Sequence, residues 1–453
     1  MLNMLDFEKR SLSGPVMKAD EFDLLVSKKA REIVKKYSNI KFNPEELIVS
    51  DEVADGVFQA AMEFILETGV LNTDTQRVVK WTREELEELV LWYQETPACR
   101  TFGRDEEEHT IFPRSSVDSF PPVTWASCAG VIEPEWFTTY VETVAKEKCV
   151  KGFGISGGIP TVDGVSIKAG CPSEILAGLW EQRAVIDAIN RAGRPNMHLG
   201  LIATVSTPGG TAALLAQGLR HPQNTMIGIH IIPEQKINWE RLNLATICRE
   251  LGVAPWISAM SMLGGLAGGS VGVAIAVTAN FIEQLSLSRG KLGSIFISDM
   301  KGNNSNREHL WSLSAALRAI ERNIGVATGM PANNTGFAFS QEEDICRTAA
   351  LAIILTASGG AYNWAAGKNP EDTKIQHEVM EKTAGLSREK VNVLLNRLIN
   401  KIEEMGKVGG TPLATAQAFQ FPLVYDIITG EPKQEYVDGC NRAREILIDV
   451  GVL

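Results

Sequence analysis

The 453-residue sequence predicts an α/β protein built as one TIM (β/α)8 barrel, with a helical extension at its N-terminus and further helices at its C-terminus. Three observations carry this. After residue 115, eight short apolar runs alternate with longer helical patterns, the signature of parallel βαβ units. The first ~110 residues read as helices alone. The length would ordinarily suggest about three domains, but no Gly/Ser linker, internal repeat or low-complexity tract divides the chain, and α/β barrels often exceed that prior as single units. The expected division is a helical extension over 1–115, the barrel over 116–405, and a C-terminal helical tail over 406–453 in the same domain.

In the extension, Phe22, Leu25, Val26, Ala30, Ile33 and Tyr37 recur at helical spacing. Asp51 caps a second helix with Val53, Val57, Phe58, Ala61 and Ile65 that stops at Gly69, and Thr82 with Glu85 forms a capping box for a third. The barrel strands are expected at 123–128, 150–156, 198–206, 225–232, 255–262, 293–300, 323–330 and 359–366. Helices are expected at Pro134–Lys148, Pro172–Ala192, Ile237–Leu251, Val271–Arg289, Arg307–Glu321 and Gln341–Ala357, with Arg388–Met405 and Gln434–Val450 closing the chain.

With 44 Lys+Arg against 55 Asp+Glu, the net charge is −11, which argues against a nucleic-acid protein. Seven irregularly spaced cysteines argue against a disulfide framework and point to a reducing cytoplasm. MLNMLDFEKR lacks the basic-then-apolar order of a signal peptide. From Leu251 to Ile282 there is no charged side chain, long enough to span a bilayer. Pro255, the glycines at 264–272 and the surrounding alternation instead read as strand five, a Gly-rich turn and a buried helix, so no membrane span is expected.

In a barrel, functional residues sit at the strand C-termini and in the loops that follow. Those positions offer His230, Glu234 and Asp299 as catalytic candidates. Trp125, Ser206, Ser261, Met262, Asn303, Asn333, Tyr362 and Trp364 are candidates for binding substrate. Amides, hydroxyls and aromatics dominate this set, which suits a small organic substrate better than a phosphorylated one. Trp125, Trp256 and Trp364 could cage a cation, although aromatics on barrel strands usually pack. His230 reads equally as a core group. Gly152, Gly154 and Gly157 spell G-x-G-x-x-G, but no helix opens at the third glycine as a dinucleotide site requires. No cysteines or histidines have zinc-ligand spacing, so no metal is expected. Lys301, in an exposed GNNSN loop, reads as a solvated lysine.

Several ordered segments resemble one family. DTQRVVKWTREEL (74–86), GRD (103–105) with Arg114-Ser115, CPSEILAGLWEQRAVIDAINRAGRPNM (171–197), GGLAGG (264–269), Asn-Arg-Glu (306–308), Gly406-Lys407, Tyr425-Asp426, Glu435-Tyr436 and Gly451 are similar to the monomethylamine methyltransferases, the corrinoid-protein-dependent enzymes of methylotrophic methanogens. The resemblance implies a TIM barrel, a homo-oligomer, and transfer of a methyl group from a methylated amine to the Co(I) corrinoid of a small partner protein. No cofactor would then be bound directly. The chain departs from the family in three places. Family members carry pyrrolysine after strand three, where TVSTPGGTAALLAQG (204–218) has only ordinary residues, the matching position falling around Pro208 to Gly210. The carboxylate after the GGxAGG turn is absent, with Ser270, Val271 and Gly272 instead. The cysteine-containing loop near strand seven is replaced by MPANNTGFAFSQ (330–341). A quaternary ammonium already carries its charge and leaves as a neutral amine, so the expected substrate is a quaternary or otherwise activated methyl donor. Two alternatives stay open: another TIM-barrel enzyme, such as a lyase or metal-dependent hydrolase, or an inactive barrel serving as a binding or scaffold subunit.

Overall fold

The computed structural model describes residues 3–453 apart from 97, 129, 156, 203–205, 217, 219, 222–223, 231, 333–336, 408–412 and 415–420; at 201, 202, 216, 230, 337, 413 and 414 it describes the backbone alone. Eight parallel strands form the central sheet: β1 (Val123–Cys128), β2 (Val150–Ile155), β3 (His198–Ile202), β4 (Met226–His230), β5 (Ala254–Leu263), β6 (Leu292–Asp299), β7 (Ala327–Met330) and β8 (Tyr362–Ala366). They pair in the order β4-β5-β6-β7-β8-β1-β2-β3, and a parallel bridge from Leu199 to Thr225 closes the ring. Arg220 fastens that seam. Its buried guanidinium donates to the carbonyls of Leu199 and Gly200 and to Thr225 Oγ1, so burial is offset by hydrogen bonds, with its pKa held down at about 9 by desolvation.

Each strand is followed by a helix: α1 (Pro134–Ala145), α2 (Pro172–Arg191), α3 (Pro208–Ala216), α4 (Trp239–Leu251), α5 (Ser270–Ser288), α6 (Arg307–Asn323), α7 (Gln341–Ala357) and α8 (Pro370–Thr383). Proline opens four of them (α1, α2, α3, α8), at the position where its missing N–H and fixed φ cost nothing. Neither α3 nor α8 is among the helices expected from the sequence; α3 is short and Gly-bearing, and α8 has no sharp apolar stripe.

The uncharged run resolves as expected into β5, a glycine turn and α5. Of the described helices, Ser270–Ser288 is the one long and apolar enough to cross a membrane, yet 89% of its apolar window is buried within the protein. What covers it is the N-terminal extension. Helix Asp51–Thr68 packs along α5 and α6, its side chains Val57, Phe64 and Ile65 fully buried. Its N-cap is Ser50, whose hydroxyl accepts from Val53 N, so Asp51 lies one residue inside the helix rather than at the cap. The Thr82–Glu85 box closes as expected, with both reciprocal bonds present. At the other end of the chain, Arg388–Gly406 and Gln434–Asp449 pack on α7. The extension and C-terminal helices meet where Asn392 bonds both the N–H and the C=O of Ile48. All seven cysteines are free.

Candidate active site

Strand alternation divides the barrel wall. Ile257, Ala259 and Leu263 of β5 face the helices and join the main core, whereas Trp256 faces the axis. The axial residues fall into two storeys. In the lower one, Trp125, Trp256, Tyr362 and Trp364 pack ring against ring: Trp256 stacks on Trp364 at 5.1 Å, and Trp125 lies 4.7 Å from Tyr362 and edge-on to Trp364 at 6.0 Å. Tyr362 Oη accepts from Trp256 Nε1 (2.7 Å) and lies 2.9 Å from Ser294 Oγ, so both buried polar tips are satisfied. A hairpin of Arg100–Phe102 and His109–Ile111 plugs the N-terminal end. Phe102 packs on His198, and His109 Nε2 accepts from Trp125 Nε1 at 2.9 Å. His109 Nδ1, 3.0 Å from the Glu107 carbonyl, is then the protonated nitrogen of a neutral ring. Burial holds both His109 and His198 below the usual histidine range.

These rings fit because the facing strands carry glycine. A Cβ on Gly152 would lie 2.7 Å from His198 and 2.9 Å from Trp125; on Gly329, 2.5 Å from the Tyr362 ring; on Gly200, 3.0 Å from Trp364. Gly157 abuts the Gly130 backbone. The G-x-G-x-x-G spelling therefore records close packing, not a dinucleotide loop.

The upper storey is open. Met260, Phe296, Ser298 and Ala366 are half-buried and Met262 is 45% exposed, all on the axial side of their strands. Trp364 reaches from β8 to Gly200 on β3 and floors this chamber. Among the described residues, none of these lining side chains titrates.

The structure places the expected site residues unevenly. Met262 lines the chamber mouth. Trp125, Tyr362 and Trp364 were expected at the mouth but lie in the closed lower storey, each no more than 2% exposed. Tyr362 opens β8 rather than ending it, because the Gly359-Gly360 turn delays the strand. Ser261 faces the helices. There its hydroxyl donates to Oε1 of Glu234, a buried carboxylate whose Oε2 has no partner among the described residues. Burial pushes Glu234 above the usual carboxylate range, opposed by the Ser261 hydroxyl and the Met262 backbone. Asp299 and Asn303 are loop-builders. Asp299 accepts from Lys301 N (3.0 Å) and Asn306 Nδ2 (2.8 Å), and Asn303 Oδ1 accepts from Arg347 at 3.0 Å. Neither was expected to be so occupied. Ser206 offers its N–H to Glu174 Oε1 at 2.8 Å, and Thr207 does the same at 2.9 Å. The His230 side chain and all of Asn333 lie outside the described residues.

Sequence reasoning missed the groups that fix Glu234. Lys236–Ile237 pairs in parallel with Val70–Asn72 of the extension, and Gln235, at φ 53°, accepts from Thr68 Oγ1 (3.1 Å). From α5, Asn280 Oδ1 accepts from Gln235 N (3.1 Å) while its Nδ2 donates to the Met260 carbonyl (2.8 Å). Asn280 is the only amide in the uncharged run, and a buried amide requires partners; that was the available signal. Glu174 was read as part of a family resemblance, and its role emerges only here: from the start of α2 it pins the loop leading into α3. Pro208 to Gly210, the stretch around which the resemblance implies the family's pyrrolysine position, forms the first turn of that helix. After the glycine turn, a Cβ at Gly272 would lie 2.0 Å from the Ala267 carbonyl, so this position holds no side chain. Among the described residues, no group of three His, Cys, Asp or Glu is placed to hold a metal.

A closed eight-stranded barrel, sealed below and open at the strand C-termini, has the architecture of (β/α)8-barrel enzymes. The family is specific: the model for monomethylamine methyltransferase MtmB matches residues 2–452, and the chain belongs to that family. Monomethylamine methyltransferase MtmB3 of Methanosarcina barkeri is 27% identical over 463 residues, covering 99% of this chain and 98% of its own. MtmB of Methanosarcina mazei is 27% identical over 465 residues, with the same coverage. The crystal structure of the M. barkeri enzyme superposes with a TM-score of 0.90 at 24% identity, over 100% of this chain and 98% of that one, which confirms the barrel.

Proposed function

We propose that this protein is a methyltransferase that takes a methyl group from a small methylated amine, quaternary or otherwise activated, and delivers it to the Co(I) corrinoid of a partner protein. Family membership supports the methylamine chemistry, and one structural observation carries the choice of an activated donor: the described lining of the open chamber is neutral. Loss of a methyl group from an unprotonated amine would expel an amide anion, a poor leaving group, and no described side chain in the chamber would hold a proton on that nitrogen. Glu234, a buried acid, bonds Ser261 on the helix side of β5.

The chamber's own contribution is binding and orientation. Trp364 closes the bottom, so the methyl group to be lost points toward the open end at the strand C-termini. Met260, Met262 and Phe296 exclude water and offer polarisable surface to an alkylammonium. The partner's corrinoid supplies the nucleophile for the displacement. The rim fits such a group: Met262 and Met300 are exposed beside the Gly264–Gly269 turn and present apolar surface. On this reading the protein acts in the cytoplasm as a homo-oligomer, with no cofactor of its own.

The test is a reduced corrinoid protein, the full-length chain and a panel of primary to quaternary methylamines, followed by the loss of Co(I) absorbance. Turnover with quaternary donors and none with monomethylamine is expected. Turnover with monomethylamine alone would overturn the activated-donor reading. No turnover with any donor would overturn the methyltransferase reading.

A further inference from the structure

At the end of the barrel opposite the open chamber, a cavity of about 280 Å³ lies between the α4–β5 and α5–β6 turns. Arg100, Arg249, Arg289 and Lys291 line it, together with backbone and small side chains around Gly252 and Ser288. No described carboxylate lines it, in a chain whose net charge is −11. A second basin of about 590 Å³ shares Arg100 and adds Arg104, His221 and Asn224, with Glu108 at its edge.

The arrangement costs the fold something. Arg289 is the residue that caps α5, at φ 50° and ψ 35°, a left-handed conformation that glycine adopts more readily. Its Nε is shielded from solvent and has no partner among the described residues. Burial, and after it the charge of Arg249, holds the Arg289 guanidinium below its usual range. A helix-end role explains part of this, since α4 and α5 both finish here and a helix C-terminus carries roughly half a negative charge. Arg249 and Arg289 alone bring two positive charges against two such ends, and Arg100 and Lys291 add to the same wall.

We propose that this cavity binds a small phosphorylated anion, with the phosphate held among Arg249, Arg289, Arg100 and Lys291. A phosphate offers several acceptor oxygens to guanidinium groups converging from different elements, and the adjoining basin has room for the organic part of an ester. The site stands independently of the methyl-transfer reading.

Isothermal titration calorimetry on the full-length protein tests it, with pyrophosphate, inorganic phosphate and phenyl phosphate as separate probes. Saturable binding of at least one probe with Kd below about 1 mM is expected. Phenyl phosphate binding more tightly than inorganic phosphate identifies an ester as the ligand, and the reverse order identifies free phosphate. The informative variant is Arg289→Gly, which removes the cation while relieving the left-handed backbone, so its melting temperature should hold or rise. Binding should weaken at least about tenfold in Arg289→Gly and in Arg249→Gln. Absence of saturable heat with all three probes, or affinity unchanged in both variants, would overturn the proposal.

Discussion

Replacing Asn280 by alanine isolates the link between the helix that covers the barrel and the loop that carries Glu234. Asn280 is fully buried and makes two bonds, accepting from Gln235 N at 3.1 Å and donating to the Met260 carbonyl at 2.8 Å. Alanine leaves the Gln235 N–H buried without its partner, at about 1–3 kcal/mol, and removes a second bond worth about 0.5–1.5 kcal/mol. A total destabilisation of about 2–4 kcal/mol is expected from urea unfolding midpoints. Asn280→Asp sharpens the test. Ionised, it keeps the acceptor but sets a carboxylate against the Met260 carbonyl; protonated, it regains a donor. Its destabilisation relative to the native chain should therefore shrink as pH falls. Turnover should drop in both variants, because the neighbours of Asn280's two partners are Glu234 and Ser261. An alanine cost below about 0.5 kcal/mol, or an aspartate cost that is flat with pH, would refute the reasoning.

Glu234→Gln should change the pH dependence of stability. Burial raises the folded-state pKa of Glu234, so the folded state holds the proton more tightly than the unfolded one, and the native chain loses stability as pH rises from the ordinary carboxylate range through the raised value. Glutamine removes that slope, and a difference in unfolding midpoint that does not vary with pH would contradict the burial argument. Gly329→Ala places a methyl group 2.5 Å from the Tyr362 ring and should cost about 1–3 kcal/mol, read as a lowered melting temperature; an unchanged one would mean the ring has room to shift. Arg194→Met should destabilise by about 3 kcal/mol, since it strands the buried Glu107 carboxylate and frees the carbonyls of Ala145 and Glu147; a cost under about 1 kcal/mol in chemical unfolding would show that Glu107 finds water instead. Met262→Ala, at a half-exposed chamber wall, should raise KM for the methyl donor with little change in melting temperature, and an unaltered KM would place the substrate elsewhere.

The barrel was legible because its signal is repetitive. Eight runs such as VTWASC and PWISAMSM alternate with capped amphipathic segments, and the observed strands fall within or within one residue of them. The site was less legible. Trp125 and Trp364 sit on strands whose C-termini form the mouth, yet a strand position gives no depth along the axis, and depth separates a packed floor from an open lining. Asp299 and Asn303 have the composition of a functional loop, but side chains of that kind also build turns, and here they do. Glu234 was visible as a carboxylate after strand four. That Ser261, Asn280 and Thr68 converge around it depends on contacts between segments up to 167 residues apart, and no local pattern encodes those.

The floor made by Trp364 has a consequence for the order of events. On the proposed reading, a chamber floored in this way is loaded and emptied at the same end. On that reading, donor enters before the methyl acceptor covers the opening, and the demethylated amine would be trapped until the acceptor withdraws. The protein would then behave kinetically as a cul-de-sac: excess acceptor should slow the cycle by blocking the door, and the lifetime of the docked complex would set the fastest possible turnover.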